Sequence, residues 1–155
     1  MNKLRMGING IKAGFVATAA VCILMMVQTA SGQIPELHMI RTLSGVLGAP
    51  THVLLGLGIH FVIGVLIWGS IYALMEAYVP LRSPVLKGMG FGICAWLLMM
   101  LVLMPLAGAG FFASARGTLL VPIGTLIYHL VYGAVLGTVY ESSLPSARQS
   151  HHRHA

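Results

Sequence analysis

The sequence predicts an all-α integral membrane protein with four transmembrane helices. Of its 155 residues, 57% are hydrophobic and only 8% are charged, and its mean hydropathy is +0.89. A soluble domain carries about a quarter charged residues, so this chain has too few to cover a globule in water. Four apolar runs without Asp, Glu, Lys or Arg each approach the roughly 20 residues that cross a bilayer. Because lipid leaves each backbone polar group to be satisfied within its own segment, these runs are predicted to be helices.

The four runs also define the expected domain organisation. They are residues 13–31, 53–75, 88–108 and 119–140. Basic residues precede the first run, as in a secretory signal, but we expect this run to remain as the first membrane helix. A single transmembrane domain is predicted over residues 1–140, built from hairpins 13–75 and 88–140 and followed by a flexible, His-containing tail, 141–155. The long first outer loop is expected to hold a short surface helix over 36–47.

The distribution of Lys and Arg predicts the orientation. One set of loops and termini carries seven of the nine basic residues, namely Lys3, Arg5, Lys12, Arg82, Lys87, Arg148 and Arg153. Arg41 and Arg116 fall on the other side. Since cytoplasmic loops carry the excess of Lys and Arg, both termini should face the cytoplasm. The net charge of +6 therefore needs no nucleic-acid partner to explain it.

The two hairpins resemble two copies of one unit. The first helix of each begins with a similar stretch, "GFVATAA" at Gly14 and "GFGICAW" at Gly90. The second helix of each contains "HFVIG" from His60 or "HLVYG" from His129, and the spacing to the closing tyrosine slips by one residue. The two copies in such a tandem duplication are related by a rotation axis along the membrane normal. At about 1.5 Å per residue, both histidines should then lie roughly 12–15 Å below the outer boundary.

Each histidine lies in a row of small residues with a four-residue spacing. In lipid, that pattern marks the face on which another helix packs closely. The predicted helix-packing seam consists of Gly56, His60, Gly64, Thr125, His129, Gly133 and Gly137. The imidazoles are therefore expected to face protein and not acyl chains.

Three roles for the histidines remain open at this level. In the first, each neutral imidazole donates one structural hydrogen bond across a helix interface. In the second, His60 and His129 are axial ligands of a haem b between facing helices, with Arg116 the nearest cation for its propionates. In the third, they belong to a proton or ion path. Glu76 and Glu141 look like charges anchored at the cytoplasmic interface, which gives that path no carboxylate within the membrane.

Other reactive side chains carry weaker signals. Cys22 and Cys94 lie within apolar runs and are expected to be packing residues without a disulfide. His38, Met39 and His52 are copper-type ligands on the outer side, and the tail contains an "HHRH" motif. No nucleophile and base, phosphate loop, zinc spacing or carboxylate pair is present, so no enzymatic activity is expected.

The stretch "VLMPLAGAGFF", together with "HFVIG" and "HLVYGAVLGTVY", resembles a family of small bacterial membrane proteins of unknown function. The resemblance covers most of residues 14–140 and rests on MPLxGxGFF-like and HxVxG-like stretches. It implies a four-helix, multi-pass protein of the bacterial inner membrane. It assigns no activity and no catalytic residue.

These observations favour a small non-catalytic membrane protein. The expected role is an accessory or stabilising subunit of a larger membrane complex, respiratory-type or other, or of a homo-oligomer. Its expected partners are the lipid bilayer and other membrane subunits or copies of itself, without nucleic acid. No cofactor is expected in this interpretation, and haem b is the alternative.

Overall fold

The structure, a computed structural model, describes residues 3–32 and 39–145. The described residues form helices that are joined by turns and loops, and four of these helices are long and apolar enough to cross a membrane. This confirms the predicted all-α membrane fold. The helices are α1 (Lys3–Ser31), α2 (Met39–Val46), α3 (Val53–Tyr78), α4 (Pro84–Leu106) and α5 (Leu120–Ser142).

Several helix boundaries differ from those of the predicted apolar runs. α1 begins at Lys3, ten residues before the run, because its polar first turns continue the same helix. α4 begins at Pro84, where the Ser83 side chain accepts a hydrogen bond from the Leu86 amide. Serine at the N-cap and proline in the first turn are typical helix-start residues. α5 continues to Ser142, two residues into the predicted tail, and residues 146–155 of that tail lie outside the described residues.

The bundle has two inner and two outer helices. α1 packs along α5 and α3, and α4 packs along α5. No comparable backbone packing joins α3 to α4. The helices therefore follow the order α3, α1, α5, α4, and a cleft remains between the two outer ones.

Glycines allow close approach within each hairpin. A Cβ atom on Gly10 of α1 would collide with the carbonyl of Gly69 on α3. A Cβ atom on Gly88 of α4 would collide in the same way with the carbonyl of Gly133 on α5. Small residues at such contacts let helix backbones pack closely in lipid.

α3 contains a π-helical segment, Val62–Trp68. Its last turn includes a hydrogen bond from the Gly69 amide to the Gly64 carbonyl, five residues earlier. A π-helical turn accommodates one more residue than an α-helical turn. The segment therefore gives a physical reason for the one-residue slip between the repeats, although the duplication itself stays a prediction.

The end of the bundle at which α1 begins and α5 ends is closed by polar and aromatic contacts. Lys87 Nζ lies 3.5 Å from Glu76 Oε2 and donates to the Glu76 carbonyl at 3.3 Å. Both side chains are buried, 5% and 2% exposed. The interpretation of Glu76 as an interface-anchored charge is therefore wrong, since this carboxylate pairs with a lysine between α3 and α4. The Phe91 ring lies edge-on to Tyr72 and Trp68 beside it.

The opposite end carries the two outer connections. The short helix expected over 36–47 is observed as α2, and residues 33–38 lie outside the described part. α2 packs closely on α3. The contact is so close that a Cβ atom on Gly56 of α3 would collide with the Ile40 carbonyl of α2. The second connection forms a short 3₁₀ segment, Phe111–Arg116, in which Phe112 and Ala113 have φ angles of 51° and 56°.

Candidate functional site: a cavity within the bundle

A cavity of about 400 Å³ lies among the four long helices. This volume is within the range of small-molecule pockets, about 300–1,000 Å³. Its wall is mostly aliphatic, with contributions from Val21, Ile63, Ile67, Leu98, Val102 and Leu103. The polar side chains of the wall are few and come from α1, α3 and α5. They are Thr18, His60, Thr125, Tyr128, His129 and Tyr132.

The structure brings His60 and His129 to the same cavity. One projects from α3 and the other from α5, and both side chains are half-buried. From the sequence we predicted that both face other helices at equal depth, and that prediction stands untested. The structure adds that both side chains line one space between helices.

The other predicted seam residues do not all join this cavity. Gly64 and Thr125 line it, and Gly64 leaves room for the Thr18 side chain. Gly133 and Gly137 pack against backbone of the α4 start, and Gly56 packs against α2. The seven residues thus serve two purposes, with the glycines away from the cavity holding helices together.

His129 is oriented by its own helix. Its Nδ1 atom lies 2.8 Å from the Thr125 carbonyl oxygen. Because a carbonyl only accepts hydrogen bonds, Nδ1 must carry the proton and donate it. In the neutral ring, Nε2 is then the unprotonated nitrogen, with a lone pair available to a ligand or a donor.

His60 contacts a side chain from α1. Its Nδ1 atom lies 3.4 Å from the Cys22 Sγ atom, in a weak hydrogen bond whose donor depends on the ring tautomer. Cys22 was expected to be only a packing residue, and the structure adds this polar contact. Cys22 and Cys94 are both free thiols, as expected.

Two further polar contacts fix the wall of the cavity. The Tyr132 hydroxyl donates to the Gly64 carbonyl at 2.6 Å and so joins α5 to the π-helical segment of α3. The Trp96 indole donates to Thr125 Oγ1 at 3.2 Å and to the Pro122 carbonyl at 3.1 Å, which joins α4 to α5. The Tyr132 hydroxyl and the Trp96 indole therefore have partners within the protein, and neither donor needs a ligand in the cavity.

Two buried hydroxyls of the wall have no such partner. Thr18 is 0% exposed and Tyr128 is 6% exposed. Neither Thr18 Oγ1 nor the Tyr128 hydroxyl has a hydrogen-bond partner among the described residues. A buried polar group without a partner costs about 1–3 kcal/mol. Each such group in a native structure therefore calls for an explanation, and a bound ligand is one.

The cavity reaches the surface between α3 and α4. Ile67 on α3 and Leu98 and Val102 on α4 line it, yet each is about half exposed, at 46%, 50% and 47%. α3 and α4 share no close backbone packing comparable with that of the other neighbouring helices, and we infer that these side chains form the rim of an opening. In a membrane, that opening faces acyl chains and not water.

Sequence reasoning missed Thr18, Tyr128 and Trp68 as cavity residues. A signal was present for Thr18, since a hydroxyl in an apolar run without a charge nearby needs a partner. The copper-type ligands named from the sequence stay untested, because His38, the Met39 side chain and the "HHRH" motif lie outside what the structure describes. Residues 3–32 and 39–145 contain no cluster of three or more His, Cys, Asp or Glu side chains that could hold a metal ion.

Comparison with known proteins gives one match. A family described as "Family of unknown function (DUF6789)" matches residues 4–151. No curated protein and no solved structure shows significant similarity to the chain.

Proposed function

The chain belongs to this family of unknown function, which matches nearly its whole length, and from its geometry we propose that it is a non-catalytic accessory protein that holds a small lipid-soluble molecule within the membrane. The cavity carries this proposal. It combines an aliphatic wall, two histidines and two buried hydroxyls without partners. An apolar pocket with a few convergent polar groups is the usual form of a small-molecule site.

The absence of catalysis is part of the same proposal. The described residues of the cavity wall include no Asp, Glu, Lys or Arg, and the thiol of Cys22, which contacts His60, lies outside that wall. The hydroxyl of Thr125 is held by its own helix, 2.7 Å from the Val121 carbonyl. Binding and orientation are the chemistry that this set of side chains supports.

Extraction of the purified protein tests the proposal. A lipid-soluble molecule should co-purify at a fixed ratio to protein and be detected by mass spectrometry of the organic extract. Ala95→Phe should lose it, because Ala95 lines the cavity and is only 2% exposed. The matched control is Leu97→Phe, which adds an aromatic ring on the same helix at an exposed position outside the cavity. Equal amounts of every extracted molecule in the two variants would contradict the proposal.

The accessory part of the proposal rests on the outward face of α4. Gly90 and Cys94 are exposed one turn apart, and a Cβ atom on Gly90 would meet nothing within 4 Å. The bundle itself therefore does not use this pair of small residues. Small residues four apart are typical of faces where another membrane helix packs, from a partner subunit or from a second copy.

Extraction into polymer-bounded membrane discs tests this role. The protein mass per disc should exceed that of one chain for the wild type and fall toward one chain in Gly90→Leu, because the added side chain blocks close approach. Cys94→Ser, which keeps a small side chain on the same face, should retain the larger mass. Discs that contain a single wild-type chain and no other protein would contradict an accessory role.

Haem b is the second candidate, because His60 and His129 line one cavity and His129 keeps Nε2 free of the proton. These residues fit axial ligation. The propionates fit less well, since no Lys or Arg of the described residues lines the cavity and Arg116 is exposed in the outer 3₁₀ segment. A haem would therefore leave two carboxylates without cationic partners in the wall.

An absorbance spectrum separates haem from a colourless ligand. If haem is the occupant, protein from haem-replete cells shows a Soret band that is lost in both His60→Ala and His129→Ala. His52→Ala changes an exposed histidine outside the bundle and should leave the band intact. We expect a colourless preparation, and a Soret band with this pattern would replace our proposal with an electron carrier.

A proton or ion path has weaker support. No carboxylate of the described part of the chain lines the cavity, and Glu76 is paired with Lys87 at the end of the bundle.

We further propose the bacterial inner membrane as the location, with both termini in the cytoplasm. The hydrogen bond from Asn9 to the Ser143 carbonyl, at 3.2 Å, supports a common side for the two termini.

A further inference from the structure

We propose that the cavity binds the head group of a neutral lipid-soluble carbonyl compound of the quinone type, whose apolar tail leaves between α3 and α4. This inference rests on the proposed function and names its ligand class. Four features of the wall lead to it, namely its lack of charge, its unpaired hydroxyls, its aromatic and thioether side chains, and the position of its opening.

The wall selects a neutral ligand. Among residues 3–32 and 39–145, no Asp, Glu, Lys or Arg lines the cavity, and most of the wall is aliphatic, with Val21 and Leu106 among its residues. Burial of a charge without a partner is strongly unfavourable in such surroundings. Phospholipid head groups and free anions are therefore poor occupants.

The two unpaired hydroxyls select oxygen acceptors. Thr18 and Tyr128 lie on different helices, α1 and α5, and both hydroxyls can donate. Each of these two oxygens has less than 1 Å² of accessible surface, so a rotation of the side chain must first turn it toward the cavity. A ligand with carbonyl oxygens can then accept from them without carrying any charge. A simple alkyl chain would leave both hydroxyls unsatisfied.

The remaining wall suits a flat ring. The indole of Trp68 and the ring of Tyr132 line the cavity together with the thioethers of Met25 and Met99. Aromatic rings stack or pack edge-on with a flat ligand. Methionine side chains are flexible and make favourable contacts with aromatic rings, so they adapt to the ring substituents.

The position of the opening indicates where the apolar tail of the ligand would lie. The half-exposed rim residues Ile67, Leu98 and Val102 face the surface that lies in acyl chains. A ligand already dissolved in the bilayer can enter there without crossing water. A volume of about 400 Å³ suits a substituted ring, and a long tail would remain outside.

Titration with decylubiquinone tests the inference in purified protein reconstituted in lipid nanodiscs. The fluorescence of Trp68, which lines the cavity, should be quenched in a saturable way in the wild type and in Leu97→Phe. Tyr128→Phe and Thr18→Val should each weaken the affinity about threefold to tenfold, the worth of one hydrogen bond. Trp68→Phe should lose most of the saturable signal.

The melting temperature of the ligand-free protein separates binding from a structural role. Because neither hydroxyl has a hydrogen-bond partner in the described part of the protein, Tyr128→Phe and Thr18→Val should melt at or above the wild-type temperature without ligand. A lower melting temperature together with unchanged affinity would assign the hydroxyls to folding and overturn the inference.

Two negative results have different meanings. Saturable quenching that is unaffected by the hydroxyl variants, and displaced by undecane, would show that an alkyl chain occupies the cavity. The quinone-type assignment would then fail while the proposed binding function stands. No saturable quenching in the wild type, with equal extracts from Ala95→Phe and Leu97→Phe, would overturn both.

Discussion

Gly88→Ala is expected to lower the free energy of unfolding by about 3 kcal/mol, at the upper end of the usual cost of overpacking. The new methyl group would collide with the Gly133 carbonyl on α5. This neighbour is helix backbone, so it cannot rotate away as a flexible side chain could. α4 and α5 would have to separate, and their shared packing would be lost along several turns. Unfolding by SDS, followed through tryptophan fluorescence, measures the change.

Gly90→Ala is the matched control for this prediction. Gly90 lies two residues further along α4, and its added methyl group would meet nothing within 4 Å. Alanine also favours helix over glycine by about 1 kcal/mol, so this variant should be as stable as the wild type or more stable. Equal destabilisation by the two substitutions would contradict the helix order described above.

Lys87→Met is expected to lower the free energy of unfolding by about 3–5 kcal/mol, because it leaves a buried carboxylate without its cation. Lys87 and Glu76 are 5% and 2% exposed and lie 3.5 Å apart. The pair joins the end of α3 to the start of α4, where the two outer helices meet. Its loss should therefore loosen the contact between the two hairpins. The same SDS titration measures the effect.

Two variants separate the pair from a general effect of charge. Lys12→Met removes an exposed lysine of α1 and should change stability little. Lys87→Met combined with Glu76→Leu removes both charges and should recover most of the loss, since apolar replacement of a buried pair is often neutral. A double variant as unstable as Lys87→Met alone would contradict this account of the ion pair.

The helical membrane fold could be predicted from the sequence because its cause is local. Each apolar run has to satisfy its own backbone in lipid, so length and composition suffice. Helix ends were less predictable. α1 starts at Lys3 because polar turns outside the apolar run can continue a helix in water, which hydropathy alone does not register.

The site could be predicted only in part, because it depends on how the helices are ordered. The sequence singled out His60 and His129 from their position in apolar runs. It could not show that α3 and α4 stand apart, and so could not distinguish a packed seam from a cavity. Thr18 and Tyr128 became visible only when their neighbours were known. Glu76 was misread for the same reason, since its partner lies on another helix.

The shared cavity is also what separates the proposals from one another. A structural role for the histidines would use their hydrogen bonds to Cys22 and to the Thr125 carbonyl and nothing more. A binding role needs the space between them to be accessible to a molecule from the bilayer. The two differ in whether an apolar probe reaches both rings.

The most direct test of the account is therefore nitrogen-15 NMR of the imidazole rings under xenon pressure. Xenon enters apolar cavities without needing a hydrogen bond, and His60→Gln and His129→Gln assign the two ring signals. We predict that both signals shift with xenon at the same dissociation constant, and that both shifts disappear in Ala95→Phe but not in Leu97→Phe. Shifts of only one ring, or of both rings with different dissociation constants, would contradict a single cavity shared by the two histidines.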